Sequence, residues 1–183
     1  MMNKKILVLL FILIASKSSA EIKENIIKNL KNTNNISFNF EQNINGQTEN
    51  GNCIIQYPKK IYCEYNLDNK KKLVSNGKSL VIKTQTSYYF YPLEKTPLNL
   101  ILDKDYLLKK ILNSKERIVE NQFINYNFVE NENEINIFFN KENYNLIGWQ
   151  TLDIYQNLNI TFLSSIIKNQ NFDKSLFILP EQN

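Results

Sequence analysis

The sequence predicts a mainly β fold with helices, of the α+β kind: an antiparallel sheet curved over helices that cover one face. Three observations carry this. Apolar residues recur at every second position through much of the chain, as in Ile36, Phe38 and Phe40 or Ile135, Ile137 and Phe139, the period of a strand with one buried face. Two stretches, 21–32 and 96–112, switch to helical spacing. Turn dipeptides such as Asn45-Gly46 and Asn76-Gly77 separate the alternating runs, as expected for consecutive hairpins.

The first twenty residues stand apart. Lys4 and Lys5 precede an apolar run from Ile6 to Ile14, and Ser18-Ser19-Ala20 supplies small residues for cleavage. That pattern predicts a secretory signal peptide over 1–20 and a single domain over 21–183. The run falls short of the roughly 20 apolar residues that span a bilayer, and Lys17 interrupts it. Three of the 22 basic residues (Lys4, Lys5 and Lys17) leave with this segment, so 19 face 18 acidic ones. The basic balance of the full chain is therefore no argument for a nucleic-acid partner, and none is expected. Lys70-Lys71-Lys72 reads as a solvated loop beside a turn.

Within the domain, Ile22, Ile26, Ile27 and Leu30 take the spacing of an amphipathic helix. A strand from Ile36 to about Asn43 follows, then turn signals at Asn45-Gly46 and Asn50-Gly51. The strongest β signal lies between Gly51 and Leu98. Cys53, Ile55 and Tyr57 come up one side of a turn at Pro58, and Ile61, Cys63 and Tyr65 go down the other, with odd-numbered residues sharing a face. Leu73 to Asn76 and Ser79 to Ile82 flank Gly77, and an aromatic run, Tyr88 to Tyr91, stops at Pro92. Thr96-Pro97 resembles a helix start with Thr96 as cap, followed by Leu98, Ile101, Leu102, Tyr106, Leu107, Leu108 and Ile111. Four further strands are expected at 124–128, 135–139, 148–154 and 158–162. The tail from Phe172 to Pro180 is irregular.

Two cysteines in an exported chain point to a disulfide. The hairpin sets Cys53 against Cys63, so the alternatives are a bridge between them or two buried thiols. The chain has no histidine, and neither a metal nor another cofactor is expected. Gly77-Lys78-Ser79 mimics the end of a phosphate-binding loop, but the first glycine of that motif would fall on Lys72 and a strand follows instead of a helix. Without histidine or a Gly-x-Ser-x-Gly elbow the common hydrolase triads are excluded. A pair of carboxylates meeting in space stays open, yet no enzymatic activity is expected.

The order and spacing of several pieces resemble a known family. They are Gly51 followed by Tyr57-Pro58 and the strand to Tyr65, then Leu73-Val-Ser-Asn-Gly77-Lys78-Ser-Leu80, and Thr96-Pro97-Leu98. Phe38-Asn-Phe40-Glu-Gln42 and Asn159-Ile-Thr161-Phe162 add a first and a late strand. Over nearly the whole domain the chain is similar to the periplasmic outer-membrane lipoprotein carriers of the LolA type. The resemblance implies an incomplete antiparallel barrel with a helical lid. It also implies a soluble, monomeric periplasmic carrier that takes acylated lipoproteins from an inner-membrane ABC transporter to an outer-membrane receptor. The acyl cavity and lid would then involve Ile55, Tyr57, Ile61, Tyr65, Leu98, Ile101 and Leu102. Moving three chains of roughly sixteen carbons out of a bilayer costs on the order of 35–40 kcal/mol at about 0.8 kcal/mol per CH₂, so an apolar cavity must return most of it.

Two positions depart from the family. An arginine that contacts the lid often precedes the proline, and Tyr57 stands there, raising the hypothesis of a Tyr57 hydroxyl bonded to a lid carbonyl. The cavity aromatic, commonly tryptophan, two strand steps after an apolar residue falls on Cys63, with Ile61 as the apolar position. The lipidated receptor of the same pathway carries cysteine directly after its leader, where this chain has Glu21. A related lipid carrier or envelope sensor with another lipid or protein ligand is the remaining alternative.

Overall fold

The computed structural model describes residues 19–120, 122–130, 133–152 and 156–182. Residues 1–18 of the predicted leader, and Ile154 at the end of a predicted strand, lie outside these. The chain enters through helix α1 (Ser19–Lys31), whose stripe of Ile22, Ile26 and Leu30 is buried. Lys28 and Lys31 in its last turn complement the helix dipole.

Among the described residues eleven strands follow. β1 (Asn35–Ile44), β2 (Gln47–Gln56), β3 (Lys60–Tyr65), β4 (Lys72–Asn76), β5 (Ser79–Lys83) and β6 (Tyr88–Pro92) form a meander. After a helical interlude come β7 (Arg117–Val119), β8 (Phe123–Glu130), β9 (Asn133–Asn140), β10 (Leu146–Leu152) and β11 (Leu158–Lys168). They make one sheet in the order β6-β5-β4-β3-β2-β1-β11-β10-β9-β8-β7. Every pairing is antiparallel. β1 returns to pair with β11, which joins the first meander to the second. β6 and β7 are edges, so the sheet curves without closing: an incomplete barrel with helices, as the sequence led us to expect.

The helical interlude is a 3₁₀ turn (Leu93–Lys95), the one-turn helix α2 (Leu98–Ile101) and α3 (Lys104–Asn113). α1 packs on α3, and together they cover β8 and β9. Ile26, Leu107, Ile111, Ile124, Tyr126, Ile135 and Ile137 are fully buried there.

Several local expectations need correction. Asn45-Gly46 is a turn with both residues at positive φ, the geometry a tight hairpin demands. Asn50-Gly51, by contrast, lies inside β2. Glycine is needed there for close approach, because a Cβ on Gly51 would collide with the Glu64 carbonyl oxygen and sit 2.9 Å from the Phe40 ring. Thr96 does not cap a helix. Its hydroxyl turns back to donate to Leu93 O at 2.8 Å, and Pro97 is the residue at the start of α2. The long helical stretch breaks at Asp103, whose carboxylate caps α3 by accepting from Tyr106 N at 3.0 Å. The short strand β7 was not expected, β11 runs to Lys168, and the tail holds a 3₁₀ turn at Lys174–Phe177.

Candidate functional site

β2 and β3 supply one wall of the site. Their register sets Cys53 opposite Cys63, Ile55 opposite Ile61 and Gly51 opposite Tyr65. Cys53 and Cys63 are joined by a disulfide, with Cα atoms 4.1 Å apart, which pins this wall at its middle. The alternation of β1 brings Phe38 and Phe40 to the same face, with Phe40 directly opposite Gly51. The missing side chain at Gly51 leaves room for Phe40 and Tyr65 to meet across it, edge to face, with centroids 4.9 Å apart. Phe38 meets Trp149 of β10 edge to face at 6.4 Å. Such pairs add of order 1 kcal/mol each beyond their buried area.

These side chains, with Leu73 and Leu80 from β4 and β5, enclose a cavity of about 230 Å³. Thr96, Pro97 and Leu98 close it from the lid side. The lining is mostly apolar. Its polar part is a connected set at one level. The Tyr65 hydroxyl donates to Gln42 Oε1 at 3.2 Å, and Gln42 Nε2 donates to Asn159 Oδ1 at 2.9 Å. Lys71, the one charged side chain on the wall among the described residues, pairs with Glu49 at 2.5 Å and lies 4.2 Å from the Tyr65 ring centroid. Burial, and then the nearby Glu49 carboxylate, push the Tyr65 phenol above its ordinary range.

Of the residues singled out from the sequence, Ile61, Tyr65, Leu98, Cys53 and Cys63 stand on the cavity wall. Ile55, Tyr57, Ile101 and Leu102 share the inward face but sit beside the cavity in packed core, at 0–8% exposure. The chain turns there, and the lid's C-terminal end fills the space: Lys59 N, just past the cis Tyr57-Pro58 bond, donates to Leu102 O at 2.9 Å. This backbone bond is what reaches the lid carbonyl. The Tyr57 hydroxyl is buried and has no hydrogen-bond partner among the described residues, which removes the hypothesis that it does so. Burial raises its phenol pKa well above the usual value.

Other contacts fasten the lid's second part. Lys59 Nζ lies 3.2 Å from Asp103 Oδ2. Lys104 Nζ donates to Thr33 O at 3.0 Å. Lys110 Nζ and the Tyr106 hydroxyl meet Glu130 Oε2 at 2.6 and 3.2 Å. α3 is thus tied along its length. α2, between Leu98 and Ile101, makes no side-chain hydrogen bond or ion pair to the sheet among the described residues.

Sequence reading missed Phe38, Phe40, Leu73, Leu80 and Trp149 as wall residues. The first four lie in alternating runs already visible. What was lacking was the β1–β11 pairing that brings β10 around to them. No group of three or more metal-ligating side chains occurs among the described residues.

An apolar concavity with a few convergent polar groups is the general form of a ligand site, and this cavity has that form. The chain belongs to the family described as outer membrane lipoprotein carrier protein LolA, whose model matches residues 31–179. No curated protein matches the sequence. Solved structures with a similar course include a LolA superfamily protein from Nitrosomonas europaea, 6% identical, with a TM-score of 0.44 over 90% of this chain and 99% of that one. MucB is 7% identical, with a TM-score of 0.46 over 91% and 64%. The lipoprotein LppX of Mycobacterium tuberculosis is 7% identical, with a TM-score of 0.41 over 85% and 100%.

Proposed function

We propose that the protein is a soluble periplasmic carrier. It would bind the acyl chains of lipoproteins under its lid and move them from an inner-membrane ABC transporter to an outer-membrane receptor. One observation carries this reading: an apolar cavity lies between the inward face of β1–β5 and a one-turn helix whose own side chains make no hydrogen bond or ion pair to the sheet among the described residues. Membership of the lipoprotein carrier family supports the cargo.

The cavity as it stands, about 230 Å³, is smaller than the roughly 300–1,000 Å³ of pockets that hold drug-sized ligands. Three acyl chains therefore enter only when α2 swings out and the apolar wall spreads. Burial of the chains against Phe38, Phe40, Ile61, Leu80 and Trp149 would offset most of the cost of leaving the bilayer, and the transporter supplies the rest. Export through the leader, with cleavage before Glu21, brings the chain to the oxidising compartment its disulfide suits.

Release is the test. The purified protein is incubated with inner-membrane vesicles, the transporter, ATP and a labelled triacylated lipoprotein. A water-soluble one-to-one complex that fails to form when the acyl chains are removed is the expected result. If nothing is released while a phospholipid binds, the protein is instead a carrier or sensor for another lipid.

A further inference from the structure

The polar level inside the cavity has a structure of its own. Along β1 the inward residues run Phe38, Phe40, Gln42, Ile44. The register sets Gln42 opposite Thr161 of β11, and Asn159 of β11 opposite Thr151 of β10. Thr151, Asn159, Thr161 and Gln42 therefore form one belt across three neighbouring strands, and Tyr65 joins it through Gln42. On one side of the belt lie Phe38, Phe40 and Trp149; on the other lie Ile44 and Leu152, and all five line the same cavity. Apolar, polar, apolar is the profile of an amphiphile's binding site, not of a uniform oily pocket.

A buried polar group without a partner is costly, so the belt's hydrogen bonds matter one by one. Gln42 and Tyr65 are satisfied by each other and by Asn159. Thr151 is 5% exposed and faces the cavity, and its hydroxyl has no hydrogen-bond partner among the described residues. Asn159 Oδ1 accepts from Gln42 Nε2 and, at 3.4 Å, from Thr161 Oγ1. In this arrangement its Nδ2 hydrogens have no acceptor among the described residues. Two cavity-lining residues, Thr151 and Asn159, thus offer donors that no protein group takes up among the described residues. The Lys71–Glu49 pair beside them carries no net charge.

We propose that this belt reads the carbonyl groups that join acyl chains to their head. Chains would lie toward Phe38 and Trp149, ester or amide carbonyls would accept from Thr151 and Asn159, and the head would leave past Ile44 and Leu152. Recognition is of the linkage and not of head-group charge. This rests on the carrier reading above and names what the same cavity selects. Lipoprotein N-termini and free diacyl lipids share the linkage chemistry.

Displacement of bound 1-anilinonaphthalene-8-sulfonate from the full protein tests it. The competitors have matched chains: a triacylated lipopeptide, a diacyl ester phospholipid and its dialkyl ether counterpart, which lacks the carbonyls. The ester lipid should displace the probe at a concentration about fivefold lower than the ether lipid, the worth of one or two net hydrogen bonds. Thr151→Val should bring the ester closer to the ether level and leave the ether unchanged, while Thr151→Ser, which keeps the hydroxyl, should retain the full preference. A lipopeptide stronger than the ester phospholipid supports the belt with lipoprotein as its source, and the reverse supports it with free lipid. Equal displacement by ester and ether in the unaltered protein overturns the belt and leaves the carrier reading standing. Failure of every acylated competitor overturns the carrier reading itself.

Discussion

One sheet face runs through two halves of this molecule with the same alternation and ends in two different interiors. Under α1 and α3, strands β8 and β9 present Ile124, Tyr126, Ile135, Ile137 and Phe139 at 0–1% exposure. α1 has 13 residues and α3 has 10, about 20 and 15 Å of helix at 1.5 Å per residue. Their buried stripes fill the space. Under α2, the equivalent faces of β1–β5 meet a helix of 4 residues, only about 6 Å long, and a cavity remains. The strands do not decide which half packs solid and which half keeps a cavity. The length of the cover does.

The largest expected effect breaks the packed half. Ile137→Ala removes a fully buried side chain from a filled interior and should cost about 2–5 kcal/mol, read from denaturant midpoints. Leu80→Ala enlarges a cavity that already exists, with fewer packed neighbours to lose, and should fall at the low end of that range, about 2 kcal/mol. Probe displacement by an acylated ligand should reverse the ranking, with Leu80→Ala weakened and Ile137→Ala close to the unaltered protein. Equal losses of stability in both would mean that the two interiors are packed alike.

Next is the disulfide, which lies on the cavity wall and not in the packed half. Replacing Cys53 and Cys63 together by serine opens a ring of 10 residues' separation. The chain-entropy account gives a loss of about 2–3 kcal/mol for so small a ring. Denaturation of the double variant against the unaltered protein measures it. No loss would show that the β2–β3 register is held by its apolar pairs alone.

The sequence disclosed the sheet far better than the cavity. Alternation located nearly every strand, and the odd-numbered inward face of β2 and β3 followed from it, because period two is a local property. The short β7, with Ile118 at 47% exposure, has no buried face to leave such a mark. Asn50-Gly51 carried the letters of a turn, but its glycine answers to Glu64 and Phe40, which approach from other strands. The division between wall and core was illegible for a related reason. Ile55 and Ile61 are directly opposed neighbours of one type, and only the reach of the lid beyond Leu98 puts one in the core and the other on the wall. The belt of Thr151, Asn159 and Gln42 requires the β1–β11 pairing between residues more than a hundred positions apart, which no local pattern contains.

The lid itself sharpens the comparison between fastened and free cover. Lys59→Met removes the ion pair to Asp103 while keeping the backbone bond to Leu102. Its partners are about a third exposed, with side-chain values of 34% and 28%, so the stability cost should stay below about 1 kcal/mol. Amide exchange across Leu98–Leu102 should nevertheless rise several-fold relative to α3, because the hinge between them loses its side-chain tie. Tyr57→Phe should leave stability unchanged or raise it by up to about 1 kcal/mol, since it deletes a buried hydroxyl with no partner. A loss of lid protection in that variant would restore a role for the hydroxyl that the geometry denies.

The smallest effect concerns acid. Hydrogen bonds from Lys110 and then Tyr106 hold the Glu130 carboxyl below its ordinary value of 4.5. A carboxylate whose pKa is lowered by folding stabilises the folded chain at pH above its unfolded value, and that contribution disappears as pH falls through the lowered folded value. Exchange at the Tyr106–Lys110 turn of α3 should therefore accelerate as pH drops below 4.5, after correction for the intrinsic rate. Leu98–Ile101, whose own side chains meet no carboxylate among the described residues, should change less. In Glu130→Gln, which cannot ionise, the acid-dependent component at α3 should shrink, and the neutral-pH protection there should already be reduced. If α3 and α2 instead respond to acid together in both proteins, the two parts of the cover open as one body, and the lid is larger than its one unfastened turn.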